Sequence, residues 1–147
     1  ARPLPEVALE GPGGAPVTEA PLRERWTILY YRPEGCGPGC PRRLADMDQV
    51  RLALGEDMHR VQTGLLVAPG GARDLDREAL PEAVRVFAPG DRAALSALTR
   101  RLRTDTPDAD LFLVDPLGNV MMFYRAGGDP KAVLRDLRHL LKASRIG

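Results

Sequence analysis

The chain has 147 residues, and its only two cysteines lie four positions apart in the segment GCGPGC, residues 35–40. At a helix start, cysteines with this spacing are close enough to form a disulfide bond or to share one metal ion. Glycines at positions 35, 37 and 39 allow the unusual backbone angles that such a small ring requires. Pro41 suits the first turn of a helix, where no backbone hydrogen bond is lost. The segment therefore predicts a thiol pair at a helix start.

Two chemistries are open to this thiol pair. The partial positive charge at the amino end of a helix favours thiolate over thiol. A thiolate is both the nucleophile of disulfide exchange and a soft ligand for Cu(I). A purely structural disulfide is a third interpretation, but so short a ring stabilises the fold by only about 2 kcal/mol or less. The pattern therefore favours redox or metal chemistry at Cys36 and Cys40.

Composition excludes several classes of protein. The formal net charge is +1, which indicates neither a nucleic-acid partner nor an anionic membrane surface. No stretch approaches the roughly 18 apolar residues of a membrane span. Two cysteines are too few for a disulfide-rich scaffold or a structural zinc site. The chain begins with Ala1 rather than Met, so we expect a segment upstream to have been removed.

Strand and helix patterns alternate along the chain. Residues 27–31 form a β-branched and aromatic run without alternation, which is typical of a strand buried on both faces. Apolar residues at helical spacing follow from 41 to 54, and Gly55 is a natural stop. The remaining patterns predict strands at Val61–Val67, 83–87, 111–114 and 120–124, a helix at 91–102 capped by Asp91, and a last helix opened by Asp129 and Pro130.

The first 25 residues are rich in proline and glycine. Residues 7–9 and 16–18 flank a glycine-rich turn and predict a hairpin, which we assign with the rest of this tether to the same domain as residues 26–147. The order of elements predicts an α/β fold with a largely parallel sheet, covered on both faces and closed by an antiparallel hairpin. In such sheets active residues lie at the carboxyl ends of strands, where the cysteine segment follows Tyr31.

Two long segments resemble a known family. YYRPEGCGPGCPRRLADMDQV is similar to the Sco/SenC family of cytochrome c oxidase assembly proteins, in which an apolar strand and a short loop precede two cysteines three residues apart and a proline. DLFLVDPLGNVMMFYRAGGDPKAVLRDLRHLL resembles that family's closing hairpin and last helix. The resemblance implies a thioredoxin-like three-layer sandwich: a central mixed sheet with an amino-terminal hairpin, and a carboxyl-terminal hairpin plus helix.

The resemblance also implies a function. The protein would be an extracytoplasmic thiol-disulfide oxidoreductase in which Cys36, the more exposed thiol, attacks a partner and Cys40 resolves the mixed disulfide. The implied partners are the copper-carrying subunit of cytochrome c oxidase and other thiol-disulfide proteins. The implied location is the periplasmic side of the membrane, with an anchor upstream of Ala1.

Copper is the implied metal, carried in this family by two cysteines and one histidine. The matching position for that histidine is about Pro107, where this chain has none. A Cu(I) chaperone that holds the ion with Cys36 and Cys40 therefore remains an alternative function. A non-catalytic assembly factor is another alternative. His59 and His139 are expected to be solvated or capping residues away from the thiols. Pro107 is expected to be an ordinary trans turn proline rather than a cis proline facing the cysteines.

Four further side chains are candidate ligands or acid-base groups. Met121 and Met122 carry soft sulfur, but on a strand we expect them to point to opposite faces, so one belongs to the core. Asp108 and Asp110 lie near the expected site, and we expect both in a solvated loop. Carboxylates suit Cu(I) poorly. These two could still raise the pKa of the thiols or receive a proton during exchange.

Aromatic and basic residues flank the thiol segment. Trp26 and Tyr31 are expected to be packing residues, and Tyr31, nearer the thiols, has the better claim to a role. Arg32, Arg42 and Arg43 surround the cysteines, where they would favour the thiolate and steer an acidic partner. The simpler interpretation of these arginines is solubility.

Overall fold

The chain folds around one mixed β-sheet with helices on both faces in this computed structural model, which describes residues 2–7, 9–10, 16–17, 22, 24–104 and 106–144. The helices are α1 (Cys40–Leu52), α2 (Arg92–Arg103) and α3 (Pro130–Ala143). The strands are β1 (Arg2–Pro3), β2 (Leu9–Glu10), β3 (Pro16–Val17), β4 (Trp26–Arg32), β5 (Val61–Val67), β6 (Arg85–Pro89), β7 (Ala109–Val114) and β8 (Asn119–Arg125).

The sheet is parallel at its centre and antiparallel toward both ends. Its order is β1-β8-β7-β4-β5-β6-β2-β3. Strands β4, β5 and β6 run parallel, whereas β7 is antiparallel to β4 and β8 to β7. The carboxyl ends of β4, β5, β6 and β8 therefore meet the start of β7 at one edge of the sheet, which we call the carboxyl edge. The predicted mixed sheet with a closing hairpin is confirmed.

Alternating side chains of β4 divide the core into two layers. Ile28 and Tyr30 belong to the cluster under α1 and α3, together with Leu44 and Leu137. The opposite layer, under α2, contains the next residues along the strand and side chains of α2. Its members include Leu29, Tyr31, Leu66, Phe87, Leu98, Leu102 and Phe112. Strand β4 is buried on both faces, as its sequence predicts, and the three-layer arrangement is confirmed.

The amino-terminal hairpin lies beyond β6. Strand β2 pairs antiparallel with β3 and with β6. The predicted hairpin is thus confirmed, but its first strand is Leu9–Glu10 rather than residues 7–9. Its turn at 11–14 and residues 8 and 18 lie outside the described residues. Leu4, Leu9 and Leu22 are buried in the α2-side cluster. The first part of the chain therefore contributes apolar side chains to the same core as the strands that follow.

Strand β6 begins at Arg85, two residues later than the pattern predicts. The Val84 amide donates to the carbonyl oxygen of Pro81 at 3.1 Å, which places residues 81–84 in a turn. The Arg77 guanidinium donates to the carbonyl oxygens of Pro81 and Val84 at 3.0 and 2.5 Å. A side chain six residues before the predicted strand therefore holds the turn after which the strand begins.

Helix length bears on membrane insertion. The longest of the three α-helices, α3, has 14 residues. Within the part of the chain that the structure describes, no helix is both long and apolar enough to cross a membrane.

Candidate functional site

Cys36 and Cys40 form a disulfide at the carboxyl edge of the sheet, with their Cα atoms 5.1 Å apart. Cys40 is the first residue of α1 and only 2% exposed. Cys36 lies in the loop before the helix and is half-buried. The pair therefore joins a half-buried cysteine in the loop to a cysteine within the core.

The loop that carries Cys36 is a chain of tight turns. The Gly35 amide donates to the Arg32 carbonyl oxygen at 3.1 Å, and the Cys40 amide to the Gly37 carbonyl oxygen at 3.0 Å. Gly35 has φ of +112°, where a side chain would be strained. Gly39 has φ of −86°, which any residue adopts. Of the glycines at positions 35, 37 and 39, only Gly35 therefore has a backbone conformation that requires glycine.

Arginines hold this loop from two sides. The Glu34 carboxylate lies 3.7 Å from Nη1 of Arg32 and 3.8 Å from Nη1 of Arg103. The Arg32 guanidinium lies 5.8 Å from the ring centre of Tyr30, and that of Arg103 lies 4.8 Å from the ring centre of Tyr31. Arg103 comes from the end of α2, and nothing in the sequence pattern placed it near the thiols.

Arg43 is buried at its charged end. Its Nη1 donates to the Gly128 carbonyl oxygen at 2.6 Å, which ties α1 to the loop before α3. Its Nε and Nη2 are also buried and have no hydrogen-bond partner in the described part of the chain. The solubility interpretation therefore fails for Arg43, whereas Arg42 is exposed as that interpretation expects.

Asp110 is not in a solvated loop, and that expectation was wrong. It lies in β7 and is 6% exposed. Ala109 pairs with Arg125 and Leu111 with Tyr124, so Asp110 is the extra residue of a β-bulge. Bulges redirect a side chain out of the regular alternation, which the sequence pattern did not show. Asp108, by contrast, is exposed as expected.

The Asp110 carboxyl group has a raised pKa, because burial disfavours its charged form. The guanidinium groups of Arg43, Arg32 and Arg103 act in the opposite direction. Its Oδ1 is buried without a hydrogen-bond partner among the residues described. Asp108 is different, since its Oδ2 lies 2.9 Å from Nε of Arg125 in an ion pair on the surface.

The tyrosine in the same core layer as Cys40 is Tyr30, not Tyr31. Tyr30 belongs to the same apolar cluster as Cys40. Burial raises the pKa of Tyr30, with smaller effects from charged groups that include Arg32, Asp110 and Arg43. Tyr31 faces the other layer, where its hydroxyl hydrogen bonds with that of Thr99. Neighbours on a strand point to opposite faces, and sequence alone did not show which face α1 covers.

The histidines lie away from the thiols. His59 is exposed in the 3₁₀ turn Gly55–Arg60, which leads into the amino end of β5, and His139 is exposed on α3. Pro107, at the position that matches the family's histidine, is exposed. The peptide bond before it is trans, as are all described peptide bonds. The described residues contain no group of three or more His, Cys, Asp and Glu side chains placed to hold a metal ion.

The two methionines share one face of the sheet, contrary to expectation. Leu113 pairs with Met122 and Val114 with Val120, so a second register shift falls at Met121. Both methionines pack against the cluster under α1 and α3. The bulge turns Met121 toward the side that Met122 already faces, and both lie within β8 rather than at the carboxyl edge.

A pocket of about 340 Å³ opens beside Cys36. It combines part of the thiol loop with the segment that follows β5, so it lies at the carboxyl edge. Its lining residues are Pro33, Glu34, Gly35, Cys36, Val67, Ala68, Gly71, Asp74 and Leu75. A partner segment that reaches the sulfur of Cys36 would contact this surface.

Solved structures with the same fold include several Sco proteins. Yeast Sco1 with copper bound superimposes with a TM-score of 0.74 and 18% identity, covering 98% of this chain and 95% of that one. ScoI of Bradyrhizobium japonicum with copper bound gives 0.65 and 18%, covering 93% and 98%. A SCO1/SenC family lipoprotein from Bacillus anthracis gives 0.70 and 16%, covering 95% of each chain. The expected likeness to the Sco/SenC fold is confirmed.

Sequence comparison gives the family. No curated protein sequence matches the chain at a significant level. Residues 26–144 match the family described as transmembrane-like, thioredoxin-like, C-terminal domain. This match extends from the start of β4 to just past the end of α3, so it includes the disulfide and both helical layers. The chain therefore belongs to this thioredoxin-like family and has the fold of the Sco/SenC proteins.

Proposed function

We propose that this protein is a thiol-disulfide oxidoreductase that acts through Cys36 and Cys40. The observation that carries the proposal is a disulfide at the carboxyl edge in which Cys36 is half-buried and lines an open pocket, whereas Cys40 is buried. Exchange needs an accessible thiolate to attack a partner and a second thiol nearby to release it. The positive end of α1, whose first residue is Cys40, favours thiolate at this position.

The exchange proceeds in two balanced steps. In the dithiol form, the Cys36 thiolate attacks a disulfide of the partner, which forms a mixed disulfide and releases one partner sulfur as thiolate. The Cys40 thiol loses its proton and attacks the Cys36 sulfur, which closes the internal disulfide and releases the second partner sulfur. The partner gains two electrons, and the departing sulfurs take up protons from the thiol and from solvent.

We propose the copper-carrying subunit of cytochrome c oxidase as the partner, with its ligand cysteines as the reduced product. The fold shared with copper-bound Sco structures supports this choice. Two thiols suffice for exchange, so the exposed Pro107 in place of a histidine is no obstacle. The corresponding location is the periplasmic side of the membrane, with a tether upstream of Ala1.

Single serine variants test the exchange. With oxidised glutathione as the disulfide probe, C40S should accumulate a mixed disulfide at Cys36 that intact-mass spectrometry detects. C36S should form it at least tenfold more slowly, because Cys40 is 2% exposed. Equal rates in the two variants would contradict the assignment of Cys36 as the attacking thiol. Reduction of the oxidase subunit's cysteines by the dithiol form then tests the partner.

Delivery of Cu(I), with the ion as cargo, is the second candidate. Two close sulfurs fit a linear Cu(I) ion only after the disulfide is reduced, and copper-bound Sco structures share the fold. The reduced protein should then compete with a Cu(I) chelator, and the C36S/C40S double variant should not. Equal competition by both would remove this candidate. Full oxidase assembly with the double variant would instead support a non-catalytic assembly factor.

A further inference from the structure

Two charged groups near the carboxyl edge of the sheet have buried polar atoms with part of their hydrogen-bonding capacity unused. They are Arg43, with Nε and Nη2 unpaired, and Asp110, with Oδ1 unpaired, among the residues described. Buried polar atoms without partners destabilise a fold, and groups of this kind cluster at functional sites. The disulfide alone needs neither group for its geometry, so their burial calls for a separate explanation.

Arg43 and Asp110 both lie near the carboxyl edge, where the thiol loop begins. Arg43 follows Cys40 by three residues on α1, and residues at that spacing have Cβ atoms about 5–6 Å apart on one helix face. Among the cations around Asp110, Arg43 opposes the rise of its pKa most. The Tyr30 hydroxyl feels both charges, and Tyr30 shares its cluster with Cys40. Leu111 pairs with Tyr30, so Asp110 lies next to the end of β4, from which the thiol loop leads. A cation on the helix of Cys40 and an anion beside the start of the thiol loop therefore lie in the neighbourhood of the thiol pair.

We propose that Arg43 and Asp110 set the redox equilibrium of the Cys36–Cys40 pair in opposite directions. Arg43 favours the dithiol form and Asp110 favours the disulfide form. This inference rests on the proposed thiol-disulfide chemistry and assigns its electrostatic control to two named residues. Neither residue needs to contact the partner.

The direction of each effect on the redox equilibrium follows from the charge of the residue. Reduction replaces a neutral disulfide with thiols that can ionise, so a nearby cation stabilises the reduced form and a nearby anion destabilises it. Burial strengthens both effects, because the surroundings of Cys40 screen charge less than water does. Arg43 and Asp110 both keep buried polar atoms that have no hydrogen-bond partner among the residues described. Each charge therefore acts on the sulfur as well as on the other charge.

The equilibrium with glutathione measures this control. In that reaction two glutathione thiols supply two electrons and two protons, the Cys36–Cys40 bond breaks, and the sulfur–sulfur bond of oxidised glutathione forms. We define Kox as the equilibrium constant for the reverse direction, oxidation of the protein dithiol. At pH 7, D110N should lower Kox about three- to tenfold, and R43Q should raise it by a similar factor.

Matched variants separate charge from packing. R43K keeps the cation and should leave Kox within about twofold of the wild-type value. Asp48 and Arg51 form a partly buried pair on the same helix, with Nε to Oδ1 at 3.0 Å, so D48N and R51Q should leave Kox unchanged. If lost packing were the cause, R43Q and D110N would not shift Kox in opposite directions.

Measuring Kox at several pH values identifies the charged Asp110 carboxylate as the cause of the D110N effect. The ratio of Kox between D110N and the wild type should approach one as the pH is lowered, because the Asp110 carboxylate then becomes neutral. The other ionisable groups around Asp110 remain the same in both proteins. They are Tyr30 and Arg32 of β4, Glu34 of the thiol loop, Arg43 of α1, Arg103 of α2, and Tyr124 and Arg125 of β8.

Two results would overturn the inference. If the wild type equilibrates with glutathione but D110N and R43Q shift Kox in the same direction or not at all, the electrostatic control is wrong while the proposed function stands. If the wild type does not exchange with glutathione at all, both fail. Opposite shifts with wild-type behaviour of R43K would support the inference.

Discussion

Cys36 and Cys40 occupy different environments although they are bonded to each other. Cys40 belongs to the core cluster under α1 and α3, and Cys36 only packs against that cluster from the loop. The asymmetry assigns the attacking role to Cys36 and the resolving role to Cys40 in the proposed mechanism. It also limits how much the disulfide can contribute to stability, because the ring it closes is short.

Reducing the disulfide should therefore lower the free energy of unfolding by about 2 kcal/mol or less. Urea unfolding of the oxidised and reduced protein, followed by circular dichroism, measures the difference. The C36S/C40S double variant is the control, because it removes the bond without adding reductant. Loss of the cooperative transition in either state would instead identify the disulfide as an essential structural bond.

The buried carboxyl group of Asp110 makes stability depend on pH. Its pKa in the folded protein is raised above the ordinary value of 3.8, so the folded state binds the proton more tightly than the unfolded state. Asp110 therefore lowers the free energy of unfolding as the pH rises from about 3.8 through the raised pKa. Above that pKa its contribution no longer changes.

The comparison with D110N isolates this contribution. The unfolding free energy of D110N minus that of the wild type should increase with pH through the same window and then level off. D108N serves as the matched control, since Asp108 is exposed and paired with Arg125 on the surface. A difference that decreases with pH would show that the arginines, rather than burial, dominate the pKa of Asp110.

Among the elements, helices α2 and α3 begin at side-chain caps. The Asp91 carboxylate accepts the Ala94 amide at 2.8 Å at the start of α2. The Asp129 carboxylate accepts the Lys131 amide at 2.9 Å at the start of α3, with Pro130 in the first turn. Both caps were predicted from the sequence, because a cap needs only a side chain and an amide a few residues apart.

Removing the Asp129 cap should destabilise the protein by about 1 kcal/mol. The expected result for D129A is a lower urea midpoint with an unchanged dependence on urea concentration. D108A removes an aspartate from an exposed ion pair and should change stability by less than about 0.5 kcal/mol. Equal effects of the two substitutions would show that the cap contributes nothing beyond general charge.

On the scale of the whole molecule, the two core layers meet at one sheet. Residues before β4 take part in the α2-side layer, where Leu9 is 5% exposed. Strand β2 reaches this layer by pairing with β6, which is distant in sequence. We therefore expect the amino-terminal hairpin to unfold together with the rest of the domain.

Leu9→Ala should cost about 2–5 kcal/mol, as for other buried leucines. Trp26 fluorescence and far-UV circular dichroism should report the same shifted unfolding midpoint, since a single domain unfolds cooperatively. Leu117→Ala is the control at a position that is 53% exposed, and it should change stability by less than about 0.5 kcal/mol. A small effect of Leu9→Ala would show that the hairpin is a separate appendage.

The sequence predicted the parts of this protein that local interactions determine. Strand burial, helix caps and the position of the cysteines follow from residue types and spacing within about ten residues. The expected solvated position of Asp110 and the opposite faces of Met121 and Met122 were wrong for one reason. Each lies at or beside a register shift between β7 and β8, and such a shift depends on how two strands pair rather than on either strand's pattern.

The sequence by itself determined that two thiols stand where a buried strand gives way to a helix, because glycine, proline and apolar spacing act along the chain. Only the tertiary structure decided which tyrosine shares a core layer with Cys40, that Arg103 reaches the thiol loop, and that the charged ends of Arg43 and Asp110 are buried. These contacts join α1, α2, β4, β7 and the loop before α3, so they exist only after the sheet and its two helical layers have assembled.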